Sequence, residues 1–103
     1  EENMITLKEV EVMLAVCKAG SFIGAARELG ITQGNVSKIV AGLEKKLATA
    51  LFVRASDGVT LTNDGAYVQM YAEQIQILAN KIKADAKVYA EETVDSDMKG
   101  KIA

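Results

Sequence analysis

The chain has 103 residues, of which half are hydrophobic and a quarter are charged, and its formal net charge is −2 at neutral pH. This length accommodates one domain with one modest core, and the composition is that of a folded protein rather than a disordered one. With no histidine and one cysteine, the chain cannot assemble Cys/His metal sites or Ser/His and Cys/His nucleophile pairs. The alternative is a catalytic pair of carboxylates with raised pKa values, but no spacing in the sequence indicates such a pair. We therefore predict no enzyme, no metal site and no cofactor.

The sequence has the pattern of neither a membrane helix nor a secretion signal. No run approaches the roughly 18 apolar residues that a membrane helix requires, and no signal-sequence pattern opens the chain. The default compartment is therefore the cytoplasm, and Met4 is taken as the natural start, preceded by Glu1 to Asn3. The absence of proline suits a mainly helical domain.

The first predicted helix begins after Thr6. Thr6 and Glu9 have the spacing of a capping box, in which each residue satisfies a backbone N–H of the first turn. The helix is predicted to end near Gly20, and its expected role is to support the elements that follow. Cys17 is interpreted as a core thiol rather than a redox sensor. The predicted apolar face consists of Leu7, Val10, Met13, Leu14 and Cys17.

Residues 21–47 are the most informative stretch, because they have the pattern of two short helices joined by a tight turn. Ser21 and Thr32 are N-cap candidates for the two helices. Gly30 is placed to end the first helix in the left-handed conformation. Apolar residues recur at helical spacing, namely Phe22, Ala25, Ala26 and Leu29 in the first helix and Val36, Ile39, Val40, Leu43 and Leu47 in the second.

A small polar face remains at the start of the second helix of this pair. It consists of Gln33, Asn35, Ser37 and Lys38. Amide side chains bond bidentately to adenine, and lysine reaches guanine or phosphate in a major groove wide enough for a helix. A helix-turn-helix protein contacts base edges with such N-terminal residues. The alternative is a face that is merely solvated.

Positive charge is concentrated on this helix pair and the segment after it. Residues 18–54 carry six cations against two carboxylates, a net charge of +4, whereas residues 1–17 and residues 55–103 each carry −3. A local cationic patch within an acidic chain is the electrostatic footprint expected of a nucleic-acid-binding face. The negative total predicts weak and salt-sensitive non-specific binding to DNA.

A β-hairpin is predicted after the helix pair. Residues 51–54 have the pattern of a short strand, residues 55–58 that of a turn, and residues 59–61 that of a returning strand. A hairpin behind a helix-turn-helix is a wing, which contacts the DNA backbone or the minor groove. The alternative is a hairpin that only caps the core. Arg54 favours the wing, whereas Asp57 at the tip opposes it because a carboxylate repels phosphate.

A long helix is predicted over residues 63–92, with Thr62 as its N-cap and Asp64 favourably placed at the positive end of the helix dipole. Some 30 residues extend about 45 Å, farther than the small domain behind them. An apolar seam at heptad-like spacing requires a partner helix, and a second copy in a two-fold dimer is the simplest supplier. The alternative is a fold-back onto the domain. The seam consists of Tyr67, Tyr71, Ile75, Leu78, Ile82, Ala86 and Tyr89.

Several of these features agree in order and spacing with one family. The chain from about Leu7 to Ile75 closely resembles the N-terminal domain of LysR-type transcriptional regulators. The resemblance rests on Gly20-Ser21-Phe22, Ala25-Ala26, Leu29, Gln33, Ser37, Ile39, Leu43-Glu44, Leu47, Leu51-Phe52, Arg54 and Leu61-Thr62 with Gly65. It implies a mainly α fold, a winged helix-turn-helix of three helices and a two-stranded β-hairpin wing, followed by a long dimerisation linker helix.

The resemblance also implies a larger protein. Family members carry a C-terminal domain that binds a small-molecule effector, and they commonly act as tetramers. Residues 1–62 would be the DNA-binding domain, residues 63–92 the linker helix, and residues 93–103 a hinge and the truncated start of the effector domain. The hinge is predicted to begin near Glu91, and the residues from Met98 to Ala103 resemble the first strand of that domain.

Family roles carry over to matching positions. The predicted DNA-binding residues are Ser21, Thr32, Gln33, Gly34, Asn35, Ser37, Lys38 and Arg54. Lys38 replaces the usual arginine, which keeps the charge but loses the planar fork for bidentate guanine recognition. Gly34 stands where proline is common, and Asp57 stands where a basic residue near the wing tip is common.

We therefore predict a sequence-specific regulator that binds double-stranded DNA as a homodimer across a partly symmetric site. Two recognition helices would enter successive major grooves roughly 34 Å apart if the one-turn rule holds. Two alternatives stay open. One is another winged-helix repressor, of the molybdate-responsive or multiple-antibiotic-resistance type. The other is a winged helix used as a protein-interaction module, which the overall acidity permits.

Overall fold

The computed structural model describes the backbone of residues 3–96 and the side chains of residues 3–86. Its elements in chain order are α1 (Leu7–Ala19), α2 (Phe22–Leu29), α3 (Gln33–Leu47), β1 (Phe52–Ala55), β2 (Gly58–Leu61) and α4 (Asn63–Ser96). The two strands form an antiparallel hairpin, and the hairpin follows directly on three short helices. The predicted fold class, a mainly α winged helix-turn-helix with a long C-terminal helix, is confirmed.

Helix α1 begins at the predicted capping box. Thr6 Oγ1 accepts from the Glu9 N–H at 3.1 Å, and Glu9 Oε1 accepts from the Thr6 N–H at 2.9 Å. The predicted apolar face was only partly right, because Leu7 is exposed whereas Val12 and Val16, which it omitted, are fully buried. Helix α1 lies in the middle of the domain and contacts α2, α3 and α4, so its buried arc is wider than a single stripe.

Helices α2 and α3 begin and end where the local signals predict. Ser21 Oγ accepts from a backbone N–H of α2 at 2.9 Å, and Thr32 Oγ1 accepts from the Asn35 N–H of α3 at 3.1 Å. Gly30 ends α2 with a φ of 71°, a conformation that side chains disfavour. The residues of this pair that are buried in the shared core are Phe22, Ala25, Ala26, Val36, Val40 and Leu43.

The hairpin is tighter than predicted. Ala55 pairs with Gly58, so the connection is the two-residue turn Ser56–Asp57 rather than residues 55–58. The Val59 N–H donates to the carbonyl oxygen of Gly20 at 3.0 Å, which ties β2 to the end of α1. A β-carbon on Gly58, where φ is 141°, would stand 2.5 Å from that same oxygen. The close approach of the two backbones therefore requires glycine.

Hydrogen bonds to the Glu44 carboxylate and from the Thr62 backbone fix the base of the hairpin. Glu44 Oε2, near the end of α3, accepts from the Leu51 N–H at 2.7 Å and from the Phe52 N–H at 3.4 Å. The Thr62 N–H donates to the Leu51 carbonyl at 2.9 Å, just before α4 begins. Backbone groups at both ends of the hairpin are thereby satisfied, and the hairpin is oriented relative to α3.

Helix α4 is a single helix, and its described part does not fold back onto the domain. It runs to Ser96, four residues past the predicted end at Glu92, because residues 93–96 contain neither glycine nor proline. The predicted hinge, from Glu91, is thus helical as far as Ser96. The predicted start of a further domain, Met98 to Ala103, lies outside the described residues. The division of the chain into three parts stays a prediction.

Only the beginning of α4 packs on the domain. Gly65 and Ala72 are buried and Val68 is half-buried, whereas the residues from position 80 to position 86 are all exposed. At 34 residues, α4 extends about 51 Å. It is nevertheless too polar to cross a membrane, and the same holds for every other helix within the described range.

Candidate nucleic-acid interface

The start of α3 presents its polar residues to solvent. Gln33, Gly34, Asn35 and Lys38 are exposed, whereas the opposite face of the same turns is buried. Ser37 is half-buried at the edge of this polar face. The five residues together offer amide, ammonium and hydroxyl groups on two turns of an accessible helix. The predicted placement is therefore found, and the DNA contacts of the individual residues stay predictions.

The two N-cap residues have structural roles that leave them able to donate. Ser21 and Thr32 each use the hydroxyl oxygen as an acceptor for a backbone N–H. A hydroxyl that accepts in this way keeps its own hydrogen for an outside acceptor. Both residues stand at helix N-termini, where the dipole and the remaining backbone N–H groups favour an anion. Their chemistry is compatible with phosphate, and the phosphate contacts of both residues stay predictions.

Arg54 brings three elements of the interface together. Its guanidinium carbon lies 4.1 Å from the centroid of the Phe22 ring, at the start of α2. Its Nη2 donates to Ser37 Oγ of α3 at 3.3 Å. The ring of Phe22 in turn meets Phe52 of β1 edge-on, with centroids 6.0 Å apart. The sequence indicated Arg54 and Ser37 separately, and it did not indicate that Phe22 supports the guanidinium.

A groove of about 430 Å³ separates the wing from the starts of α2 and α3. Its lining includes Ser21, Gln33 and Arg54, three of the predicted DNA-binding residues. Asp57, in the turn of the wing, lies on the same groove and is exposed. The lining of the groove therefore combines hydrogen-bond donors with a carboxylate.

Two of the six cations of residues 18–54 form ion pairs with carboxylates. Lys18 Nζ lies 3.6 Å from a carboxylate oxygen of Glu28, and Lys46 Nζ lies 2.7 Å from one of Glu9. Glu28 is already counted in the net charge of +4, so only Glu9, which lies outside residues 18–54, offsets part of that excess. Two exposed cations lie at the polar face of α3, namely Lys38 on the helix itself and Arg54, which contacts Ser37.

The pKa values of two groups outside the polar face are shifted. Burial alone would raise the pKa of Glu9, but Lys46 and the Thr6 N–H bond its carboxylate and hold the pKa below its ordinary value. Burial, with the nearby Glu73 carboxylate, raises the pKa of the Cys17 thiol to about 11. Cys17 is therefore protonated at neutral pH, as expected of a core thiol.

The predicted seam of α4 is apolar and open. Tyr67, Tyr71, Ile75, Leu78 and Ile82 are exposed by between 36% and 70%. An apolar groove of about 170 Å³ runs beside this seam, between α4 and the first and third helices, and it is lined by Ile5, Val10, Met13, Leu43, Leu47, Val68, Tyr71, Ala72 and Ile75. Exposed apolar area of this kind marks an interaction surface. Of the remaining two seam residues, Ala86 is exposed, and the side chain of Tyr89 lies outside the described residues.

These features define a winged helix-turn-helix domain that carries a long helix. Residues 7–66, more than half of the chain, match the family model described as bacterial regulatory helix-turn-helix protein, lysR family. The chain belongs to this family, and residues 7–66 form the family's helix-turn-helix DNA-binding domain. The predicted family is thereby confirmed.

Curated relatives agree with this assignment. The chain is 40% identical over 74 residues to an uncharacterized HTH-type transcriptional regulator of Mycobacterium tuberculosis, covering 72% of this chain and 24% of that protein. It is 35% identical over 75 residues to the HTH-type transcriptional regulator CzcR of Bacillus thuringiensis, covering 73% of this chain and 25% of the relative. The chain thus spans about a quarter of the length of the relatives that it matches.

Solved structures share the fold. The CbnR DNA-binding domain in complex with DNA superposes with a TM-score of 0.77 at 26% identity, covering 84% of this chain and 99% of that one. The BenM DNA-binding domain in complex with catB site 1 DNA gives 0.80 at 28% identity, covering 84% and 97%. The structure of CbnR described as a LysR family transcriptional regulator gives 0.76 at 25% identity, covering 81% of this chain and 29% of that one.

Proposed function

We propose that this chain binds specific sequences of double-stranded DNA as a homodimer and thereby regulates transcription. The observation that carries the proposal is the start of α3, where amide, hydroxyl and ammonium groups are exposed on a helix whose other face is buried. A helix of this size fits the major groove, and its N-terminal residues reach base edges there. The DNA complexes of CbnR and BenM, which share the fold, support this proposal.

Base contacts are assigned to α3. Gln33 and Asn35 are suited to adenine, since an amide donates and accepts along one edge of that base. Lys38 donates to guanine or to phosphate, without the geometric selectivity that an arginine fork provides. Gly34 allows the DNA backbone to approach, because the space beside it is open. The nearest atom to a β-carbon built at this position would be Thr32 Oγ1, 4.0 Å away.

Phosphate contacts are assigned to the two N-cap residues and to Arg54. Ser21 and Thr32 present hydroxyl and backbone donors at the helix N-termini, and Arg54 presents the guanidinium N–H groups that Ser37 does not use. Asp57 repels phosphate, so the tip of this wing is expected to make no contact with the DNA backbone. Contact from the wing is therefore assigned to its base rather than to its tip.

Dimerisation is assigned to α4. The described side chains of the seam are exposed, and α4 extends well beyond the domain that supports it. The seam residues assigned to the dimer are Tyr67, Tyr71, Ile75, Leu78, Ile82 and Tyr89. A second copy of the same helix covers such a seam most simply, in a two-fold arrangement. Two recognition helices related by that axis would bind two half-sites of one DNA site.

The longer protein has further expected properties. Because the chain spans about a quarter of its curated relatives, a C-terminal domain that binds a small-molecule effector is assigned to the remainder, along with association into tetramers. The chain itself is assigned no catalytic activity. The cytoplasm, where bacterial chromosomal DNA lies, is the compartment that this function requires.

The test is a binding titration of the chain against the DNA that flanks its own gene, at two salt concentrations and with random duplex as competitor. We expect protected positions that survive the competitor and fall into two related half-sites. Affinity should decrease with salt, because each neutralised phosphate releases counterions. Equal binding to the flanking DNA and to the random duplex would overturn the proposal and favour a protein-interaction module.

A further inference from the structure

The contact between Arg54 and Ser37 joins the wing to the recognition helix. Arg54 lies on β1, and its Nη2 stands 3.3 Å from Ser37 Oγ, in the second turn of α3. Phe22 holds the guanidinium from below, with the guanidinium carbon 4.1 Å from the ring centroid. A planar guanidinium stacked on an aromatic ring has a defined orientation. The donor that faces Ser37 is therefore in place before DNA arrives.

This contact determines what Ser37 can offer to DNA. A free serine hydroxyl has one hydrogen to donate and two lone pairs to accept with, so it can bond to either kind of base edge. In this chain an oxygen lone pair of Ser37 is directed towards Arg54, which has donors only. A second donor, such as the amino group of cytosine, would approach an oxygen that is already polarised by a cation. An acceptor on DNA meets the remaining hydroxyl hydrogen.

We propose that Arg54 is a positioning residue that makes Ser37 act as a hydrogen-bond donor, so that each half-site favours an acceptor at the base edge opposite Ser37. In the major groove, guanine offers N7 and O6 and thymine offers O4, whereas cytosine offers the N4 amino group. Guanine or thymine is therefore favoured over cytosine at one position of each half-site. This inference rests on the proposed DNA-binding function, and it assigns Arg54 an effect on sequence preference besides any contact with phosphate.

The experiment selects binding sites from a randomised duplex pool, using the chain, four test variants and one control variant. Arg54→Met keeps an unbranched side chain over Phe22 but removes every donor, and Arg54→Lys keeps the charge and one donor group. Ser37→Ala removes the hydroxyl, and the fourth variant combines Arg54→Met with Ser37→Ala. Arg27→Met, at an exposed arginine in the last turn of α2, is the control for the loss of one positive charge. Circular dichroism and thermal unfolding identify any variant that does not fold.

The unmodified chain should prefer guanine or thymine over cytosine at one position by about three- to tenfold. This is the affinity ratio that corresponds to the net free energy of one hydrogen bond. Arg54→Met and Ser37→Ala should each lose that preference while retaining the preferences at other positions. The double variant should lose no more than either single variant, because both changes remove one shared effect. Arg54→Lys should keep part of the preference, and Arg27→Met should keep all of it.

Three results would overturn the inference while leaving the proposed function intact. One is an Arg54→Met chain that keeps the preference opposite Ser37. Another is a uniform loss of affinity for all sequences, with a decrease of about 0.9 in the salt slope, which would make Arg54 a phosphate ligand only. The third is additivity between the changes at Arg54 and Ser37. If the unmodified chain selects no sequence at all, the proposed function itself fails.

Discussion

Lys46 Nζ lies 2.7 Å from Glu9 Oε2, and this ion pair joins the last turn of α3 to the first turn of α1. The side chains are only 20% and 11% exposed, respectively, so water screens the pair less than it screens a surface pair. Lys46 also donates to the carbonyl of Met4 at 2.8 Å, and Glu9 completes the capping box with Thr6. One lysine therefore holds both the start of α1 and the segment before it.

We expect Lys46→Met to lower the free energy of unfolding by about 1–3 kcal/mol at pH 7, because a mostly buried carboxylate would lose its cation. The pKa of Glu9 lies below its ordinary value of 4.5, so its stabilising effect is complete above that pH and disappears as the pH falls through the lowered pKa. The difference between the two proteins should therefore shrink in acid. Urea unfolding at pH 7 and at successively lower pH measures it.

The matched control for that prediction is Lys45→Met, at the exposed neighbouring position in the same helical turn. It removes the same charge without touching Glu9, and it should change stability by less than about 0.5 kcal/mol. If Lys45→Met and Lys46→Met are equally destabilising, the ion pair with Glu9 contributes nothing particular.

Gly65→Ala is expected to be strongly destabilising, by about 2–3 kcal/mol, because a β-carbon at this position would collide with the carbonyl oxygen of Leu51. Gly34→Ala is the matched control, since its nearest neighbour, Thr32 Oγ1, is 4.0 Å away. Removing a glycine from an open helical position should instead stabilise by about 0.5–1 kcal/mol. Thermal unfolding of the two variants should therefore give shifts of opposite sign.

Lys38→Ala should weaken binding to a selected DNA site by about three- to tenfold, because one cationic hydrogen bond at the polar face of α3 is lost. Lys81→Ala is the charge-matched control, on an exposed part of α4 where Lys81 pairs with Asp85. Glu73→Ala, also on α4, should likewise leave binding nearly unchanged. Equal losses for Lys38→Ala and Lys81→Ala in a fluorescence titration would contradict the assignment of Lys38 to the interface.

Leu78→Glu should dissociate the proposed dimer, because a carboxylate would be placed in the middle of the α4 seam. The neighbouring change Ile77→Glu is a close control, since Ile77 is 62% exposed and Leu78 is 59% exposed. At 100° per residue, Ile77 lies off the line that joins Ile75, Leu78 and Ile82. Sedimentation analysis should show monomers for Leu78→Glu only. Dimers of both variants would argue against the seam.

Features that depend on residues three or four positions apart could be predicted from the sequence. The N-caps at Thr6, Ser21 and Thr32 were predicted correctly, because a cap bonds to a backbone group within its own first turn. The polar residues at the start of α3 were predicted for a related reason, since the helical period alone assigns them to the face opposite the core. Local spacing therefore determined the helix starts and the order of elements, and the resemblance of the sequence to a known family indicated the class of protein.

Features that depend on residues far apart in the chain were decided only by the tertiary structure. The helical period allowed α1 to bury Leu7, and packing against three helices turned Val12 and Val16 inward instead. The support of Arg54 by Phe22, 32 positions away in the chain, and its bond to Ser37 arise from the way the wing returns to α2 and α3. Such contacts have no signature in local spacing, because they form only after the core has brought separate elements together.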